Sequence, residues 1–417
     1  MKLVWILGLA LIVFVSAIST GWRLLFHLAW LLVVVTTFSY LWTRLAFRGL
    51  RVLRETPEGR VQVGDSLRER LGLRNTSVLP KLWLEVYDGG DLPGRSPGNI
   101  VSIGSSSDKR WRRKTVCSRR GRYSLGPLTI TASDPFGLFT RTVEAGPRTD
   151  LLVYPQVLPL PDFSLPALEM PGGNVAQRRS PNATPTVSSV RDYVAGDSLS
   201  SVSWRATARH QKLMVKEFEL DPVADVWIVL DLDGRLHSDG GSRDRQVPPD
   251  PARPYLNSSV EYAVTIAASV AASMLDKGRS VGLITSSREA GVTAPDRGAR
   301  QLWKILEVLA VVEAGRTSAL QETLLSYQSF FTGNHALLVI TPDVSGGWRR
   351  ALDSAGGRTK PVTAIFIDAL TFDSRMPRLL PSRDSSRSRL YSFTVRNGDD
   401  VRDALARGTS RQLGAAI

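Results

Sequence analysis

The 417-residue chain has little cysteine and little histidine: one Cys, Cys117, and four His, at 27, 210, 237 and 335. A single cysteine cannot build an intrachain disulfide framework, which speaks mildly against an exported, disulfide-stapled body. The histidines are scattered, and none stands in H-E-x-x-H spacing, which excludes a zincin-type centre. No G-x-x-x-x-G-K-[ST] phosphate cradle occurs, and no strand-to-helix G-x-S-x-G elbow is expected. Cys117 lies among cations that favour a thiolate, yet a lone cysteine in a basic hairpin reads as incidental. No internal repeat is evident. These absences leave no catalytic residue to name, and the chain is expected not to be an enzyme.

Charge is also missing from two N-terminal stretches. Residues 3–22 contain no Asp, Glu, Lys or Arg, and 24–43 contain none, His27 being the one titratable side chain there. Each run is about 20 residues, enough as a helix to cross a hydrocarbon core of about 30 Å. The short connector 19–23 predicts an antiparallel hairpin over 1–45. Lys2 precedes the pair and Arg44, Arg48, Arg51 and Arg54 follow it, while only Arg23 lies in the turn. The positive-inside rule then places the Arg-rich end in the cytoplasm. The expectation is a multi-pass protein of the cell (inner or plasma) membrane, held by two N-terminal helices, with a cytoplasmic body. A cleaved signal peptide ending at Val15-Ser16-Ala17 is the competing reading, and would leave a single anchor of reversed topology.

About 370 residues remain, room for two or three domains. The formal net charge is +14, and part of it is a run over 109–122: Lys109, Arg110, Arg112, Arg113, Lys114, Arg119, Arg120 and Arg122. Three readings are ranked: cations guarding a sheet edge, then a lipid-facing surface, and far behind them nucleic acid, which is not expected as a partner. Over 51–155, short apolar runs such as Leu82-Trp83-Leu84-Glu85-Val86-Tyr87 and Leu128-Thr129-Ile130-Thr131-Ala132 end at Gly, Pro and Asp clusters, including Asp134-Pro135-Phe136-Gly137. That punctuation predicts a β-sandwich-like domain. A connector over 156–222 begins with a Pro-rich stretch, expected to lie extended on the surface.

From 223 to 417 the pattern alternates. Val226-Trp227-Ile228-Val229-Leu230 and Ala336-Leu337-Leu338-Val339-Ile340 are near-continuous apolar runs, as buried parallel strands require. Further strands are expected at 280–285, 362–367 and 390–395. Helices are expected at 258–276, 297–313, 319–330, 348–355 and 401–407, and a mobile polar insert at 235–254. The alternation predicts an α/β doubly wound domain.

In such sheets ligands bind at the strands' carboxyl ends. The first strand runs into Asp231-Leu232-Asp233-Gly234-Arg235 and the second into Thr341-Pro342-Asp343, while Gly315-Arg316-Thr317-Ser318 opens a helix between them. Carboxylates and hydroxyls on one edge suit a hard cation. Here the chain resembles a von Willebrand factor A domain, whose metal-ion-dependent adhesion site uses Asp-x-Ser-x-Ser, a Thr and a later Asp. The resemblance implies Asp231, Asp233, Thr317 and Asp343 as a degenerate site. Asp233 and Arg235 stand where the serines would be, and Arg235 cannot ligate a metal. The cofactor reading stays open between none and a divalent cation such as Mg²⁺. In the alternative without metal, Asp231 and Asp343 bond to loop amides.

A second set of residues is more specific. Arg191-Asp192-Tyr193-Val194-Ala195-Gly196-Asp197 leads to Trp204, then Ala208-Arg209, then Leu213-Met214-Val215-Lys216-Glu217. Upstream stand Arg120-Gly121-Arg122-Tyr123 and Asp134-Pro135-Phe136-Gly137. Together these resemble the membrane-anchored domain of unknown function 58 proteins of bacteria and archaea, over nearly the whole chain; Ser200 stands where an Arg is usual. Arg191, Tyr193, Gly196, Asp197, Trp204, Arg209, Lys216 and Glu217 are read in two ways: as a buried Arg–carboxylate and aromatic joint between domains, or as a partner-docking surface. The resemblance implies a von Willebrand A-like interaction protein, an adaptor or chaperone-like partner of a MoxR-type AAA+ ATPase. The alternatives are a metal-dependent enzyme at the sheet edge and a structural envelope protein whose basic β domain faces lipid.

Overall fold

The computed structural model describes residues 2–55, 60–94, 98–161, 163–165, 187–194, 202–218, 225–238, 258–287, 291–315, 319–331, 335–354, 362–377, 379 and 390–406. They group into two compact units, one built on 2–157 with 258–268 and 306–312, the other on 158–238, 269–305 and 313–406.

The first unit opens with α1 (Lys2–Thr20) and α2 (Arg23–Ala46). Among the described residues only α2 is long and apolar enough to cross a membrane. Just 11% of its apolar window is buried, unlike the core helix of a soluble domain. The apolar part of α1, Trp5–Thr20, is shorter. At about 1.5 Å per residue it reaches about 24 Å, short of the hydrocarbon core. The expected multi-pass topology is therefore corrected to one membrane-length helix. With one span the hairpin argument no longer places both ends on one side, and the cytoplasmic placement of the body falls with it.

The β body consists of β1 (Leu50–Glu55), β2 (Val61–Gln62), β3 (Ser66–Asn75), β4 (Lys81–Asp88), β5 (Asn99–Ile103), β6 (Asp108–Val116), β7 (Gly121–Leu125), β8 (Leu128–Ser133), β9 (Thr140–Ala145) and β10 (Thr149–Tyr154). They form sheets ordered β1-β3-β6, β5-β4-β8-β9 and β2-β10-β7. Alternation along each strand sends one face inward. Leu71 and Leu73 of β3 meet Leu84 and Val86 of β4, Val101 and Ile103 of β5, and Leu128, Ile130 and Ala132 of β8 in one buried cluster. This is the sandwich-like domain. Cys117 is fully buried with Val61, Leu67, Leu125 and Val153, and acts as a small apolar side chain. At the β8–β9 turn the Asp134 carboxylate accepts from the amide of Phe136 (3.0 Å), which makes an Asx turn, and from that of Phe139 (2.6 Å).

Two charged features sit inside this body. Arg54 donates to Glu69 (2.6 Å) and Asp88 (3.2 Å), and Arg113 donates to Asp88 (3.0 Å), all four side chains being at most 9% exposed. A bulge in β4, where Trp83 has φ 50°, accompanies the inward turn of Lys81. Its buried ammonium donates to the Leu45 carbonyl in the last turn of α2, a cation at the negative end of a helix.

The second unit holds the β11–β12 hairpin (Val187–Asp192 and Met214–Phe218) with α3 (Trp204–His210) between its strands. It then holds a six-stranded sheet: β13 (Asp225–Leu230), β14 (Val281–Thr285), β15 (Val292–Asp296), β16 (His335–Thr341), β17 (Val362–Ile367) and β18 (Leu390–Val395). The helices are α4 (Ser259–Asp276), α5 (Gly298–Val311), α6 (Leu320–Ser326), α7 (Gly347–Leu352) and α8 (Val401–Ala406); the unit boundary runs through α4 and α5. Strand order is β15-β14-β13-β16-β17-β18, all neighbours parallel except β14 with β15. β14, β16 and β17 are buried at every residue, which fits a parallel sheet covered on both faces. Gly282 lies opposite Trp227 in the register, and a Cβ there would come within 2.7 Å of the indole, so glycine makes room for the ring. The chain moves outward from β13 to β15 and returns at β16, so the strand order reverses between β13 and β16. Their carboxyl ends therefore flank the crevice where this architecture binds ligands.

The start of the Pro-rich connector is not merely laid on a surface. Leu158, Leu160, Phe163 and Leu165 are buried, and the Leu158 amide donates to Ser269 Oγ at 2.9 Å. The rest of it, and most of the polar insert, lie outside the described residues.

Candidate functional site

Asp231 follows β13 and is fully buried. Its Oδ2 accepts the Thr341 hydroxyl at 2.6 Å, and its Oδ1 accepts the Asp233 amide at 3.1 Å. Burial pushes this carboxyl up to about 6; the bonds from Thr341 and the Asp233 amide pull the other way. Its own carbonyl faces His237 Nε2 at 2.8 Å.

Asp233 is held differently. Arg235 Nε lies 3.0 Å from Oδ1 and 3.1 Å from Oδ2, and Nη2 lies 2.6 Å from Oδ2. The Arg235 amide adds a bond to Oδ1 at 3.0 Å. Burial works upward on this carboxyl, but the bonds and charge of Arg235 bring it below its ordinary value. The backbone here runs close to Gly315: the Gly234 amide donates to the Gly315 carbonyl at 2.9 Å, and the Gly315 amide to the Leu232 carbonyl at 3.2 Å. Thr317, two residues further on, lies outside the described residues.

Asp343 follows β16. Its Oδ1 accepts the Ser345 amide at 2.7 Å, its amide donates to Thr341 Oγ1 at 2.9 Å, and its carbonyl accepts Trp348 Nε1 at 3.1 Å. Asp231 and Asp343 are thus brought together through Thr341, which the sequence reading passed over. The signal was present: Thr341 is the last residue of an apolar strand, where a hydroxyl can reach across to the neighbouring strand's end.

These residues do not fit a divalent cation. Mg²⁺ needs open oxygen donors at about 2.1 Å. Asp233 gives both oxygens to a guanidinium, Asp231 is desolvated and hydrogen-bonded at both oxygens, and Asp343 caps its own loop. Among the described residues no group of three or more His, Cys, Asp or Glu is arranged to hold a metal ion. One string does fit G-x-S-x-G, Gly94-Arg95-Ser96-Pro97-Gly98. It joins β4 to β5 in an antiparallel sheet, not a strand to a helix, and 95–97 lie outside the described residues.

The signature segment forms a small hook. β11 pairs with β12, with Arg191 opposite Val215, Val190 opposite Lys216 and Ser189 opposite Glu217. The Tyr193 amide donates to the Leu213 carbonyl (2.9 Å), and the Ser203 amide to the Met214 carbonyl (2.8 Å). Met214 donates to Thr207 Oγ1 at 3.0 Å, which ties α3 to β12. Gly196 and Asp197 lie outside the described residues. Within the hook Trp204 is 69% exposed, Val194 61% and Leu213 43%; Arg205 and Arg209 are exposed too. The buried-joint reading does not describe Trp204 or Arg209: both face solvent.

A mostly parallel α/β domain with an internally satisfied carboxyl edge and a solvent-facing β-α-β hook is the class of domain defined here. The family model described as "Protein of unknown function DUF58" matches residues 189–412. That is more than half of the chain, and the chain belongs to this family. The uncharacterized protein YeaD of Bacillus subtilis (strain 168) is 22% identical over 326 residues, 74% of this chain and 74% of that protein. The CARDB domain of PF1109 from Pyrococcus furiosus, a solved structure, is 17% identical with a TM-score of 0.20, covering 25% of this chain and 94% of that domain. Its complex with di-metal ions gives 18%, 0.18, 25% and 91%. Scores this low carry no argument about this chain.

Proposed function

We propose that this chain is a non-enzymatic, membrane-tethered protein-interaction module that docks a partner through the hook of β11, α3 and β12. The observation that supports it is the solvent-facing Trp204 in a hook that also exposes Leu213, Val194 and Arg209. Burying an indole in water's place is unfavourable to forgo: an exposed Trp leaves a large apolar surface hydrated. Trp and Arg are also the residue types that dominate binding hot spots. The strand order, with β13 central and the switch point at β13/β16, supports reading the sheet as a doubly wound, von Willebrand A-like domain. The family resemblance then implies a MoxR-type AAA+ ATPase as the partner, with this chain as its adaptor. The membrane tether in this reading is α2 alone.

A metal-dependent enzyme at the same edge has no support from the geometry, because Arg235 takes the Asp233 oxygens. Site-specific photo-crosslinking tests the docking reading. A benzophenone side chain replaces Arg205, the exposed neighbour of Trp204 in α3, in one full-length variant and Tyr87, an exposed β-body residue, in another. Adducts with the purified ATPase from position 205 and none from 87 are expected. Adducts from neither, or from both equally, contradict the proposal.

A further inference from the structure

The basic run 109–122 does not act as one block. Arg120 is turned inward, its side chain 5% exposed, donating to the Leu309 and Val312 carbonyls at the end of α5 and to Glu261 of α4. Arg113 also faces the interior, paired with Asp88. Arg110, Arg112 and Lys114 are left on the outer face of β6.

The register shows what they stand against. Lys114 lies opposite Arg68, Arg112 opposite Arg70 and Arg110 opposite Gly72. On the other side of β3, Arg74 lies opposite Arg51 of β1. All of these cations are exposed. Three cross-strand pairs therefore set cation against cation, an arrangement that destabilises a sheet. Two carboxylates on this face give partial relief: Glu55, directly opposite Arg70, is 3.7 Å from it, and Asp108, directly opposite Arg74, is 2.9 Å from Arg110. No ion pair among the described residues engages Arg51, Arg68, Arg74, Arg112 or Lys114. Arg70, Arg110, Trp111 and Arg112 line an open cleft of about 400 Å³.

Edge protection accounts for cations on β1 and β6, the outer strands, but not for Arg68, Arg70 and Arg74, because β3 is the central strand. We propose that the outer face of β1-β3-β6 docks on an anionic phospholipid surface. Charge complementarity carries the choice: a broad sheet face of repelling cations is neutralised by a broad field of phosphates, which guanidinium groups grip in pairs of hydrogen bonds. Continuity supports it. The membrane-length helix α2 ends at Ala46 and β1 starts at Leu50, and the same β body holds the helix end through Lys81 to Leu45 and through Arg141 stacked 5.4 Å from the Phe47 ring. The proposal stands whether or not the hook binds a protein.

The test places the full-length chain in nanodiscs of neutral phosphatidylcholine, or of the same lipid with phosphatidylserine. Arginines are modified with phenylglyoxal, and the rate at each site is read by mass spectrometry. Slowing of several-fold at Arg68, Arg70 and Arg112 in anionic discs, relieved by high salt and absent at exposed Arg297, is expected. Equal rates in the two discs overturn the proposal. Protection by added RNA in neutral discs, with none from anionic lipid, overturns it in favour of nucleic acid. The double variant Arg68→Gln/Arg112→Gln keeps the test independent of folding. It relieves repulsion, so an unchanged or higher melting temperature is expected together with lost protection at Arg70; protection at Arg70 that persists overturns the proposal.

Discussion

Arg235 grips both oxygens of Asp233, with its Nη2 at 2.6 Å from Oδ2 and its Nε within 3.1 Å of each oxygen. The guanidinium thus takes the oxygens that a divalent cation would need. Calorimetric titration of Mg²⁺ or Mn²⁺ into the detergent-solubilised full chain is expected to give no saturable heat. Arg235→Ser frees the carboxylate and supplies a hydroxyl, and weak saturable binding is expected to emerge. Binding by the unsubstituted chain that vanishes in Asp231→Ala would contradict this reading of the edge.

Asp231 makes stability depend on pH in an unusual direction. Its carboxyl titrates at about 6 in the folded chain against 3.8 ordinarily, so between those values the folded state holds the proton more tightly. Stability from this group is therefore highest below the unfolded value, falls as pH rises through the window, and is level above the folded value. Asp231→Asn lacks the titration. Relative to wild type, the variant is expected to gain up to about 3 kcal/mol between pH 4 and pH 7, read from urea unfolding. A wild-type-minus-variant difference that stays flat over that range contradicts the burial argument.

Arg120 joins three acceptors: Glu261 of α4 and the Leu309 and Val312 carbonyls at the end of α5. Arg120→Ala strands a carboxylate and two carbonyls, and a loss of about 3 kcal/mol is expected in chemical unfolding. Arg120→Lys recovers only part of it, because an ammonium lacks the planar fork. An unchanged midpoint in Arg120→Ala would show that these bonds add nothing.

The α/β strands were legible because burial on both faces of a parallel sheet demands unbroken apolar runs, as in β13, β16 and β17. β15 was not, since Val292–Asp296 is a short antiparallel edge strand containing a proline. β3 was hidden by Glu69, a buried carboxylate that breaks the apolar alternation and is paired with Arg54, 15 residues away. Asp231, Asp233 and Asp343 were visible as residue types at strand ends. Their commitments were not, because the bond from Thr341 to Asp231 spans 110 residues and exists only once β13 lies beside β16. That only one helix among the described residues has membrane length also eluded the sequence count, which credited the shorter apolar run of α1 with a full span.

Docking through the hook is tested most directly by the affinity of the full-length chain in nanodiscs for the MoxR-type ATPase proposed as its partner, measured with and without Trp204→Ala. Trp204 is exposed, so the substitution is expected to leave the unfolding midpoint unchanged. A loss of at least about 2 kcal/mol of binding, roughly a 30-fold rise in Kd, is expected. Equal affinity of the two proteins, or no binding by either, would contradict docking through the hook.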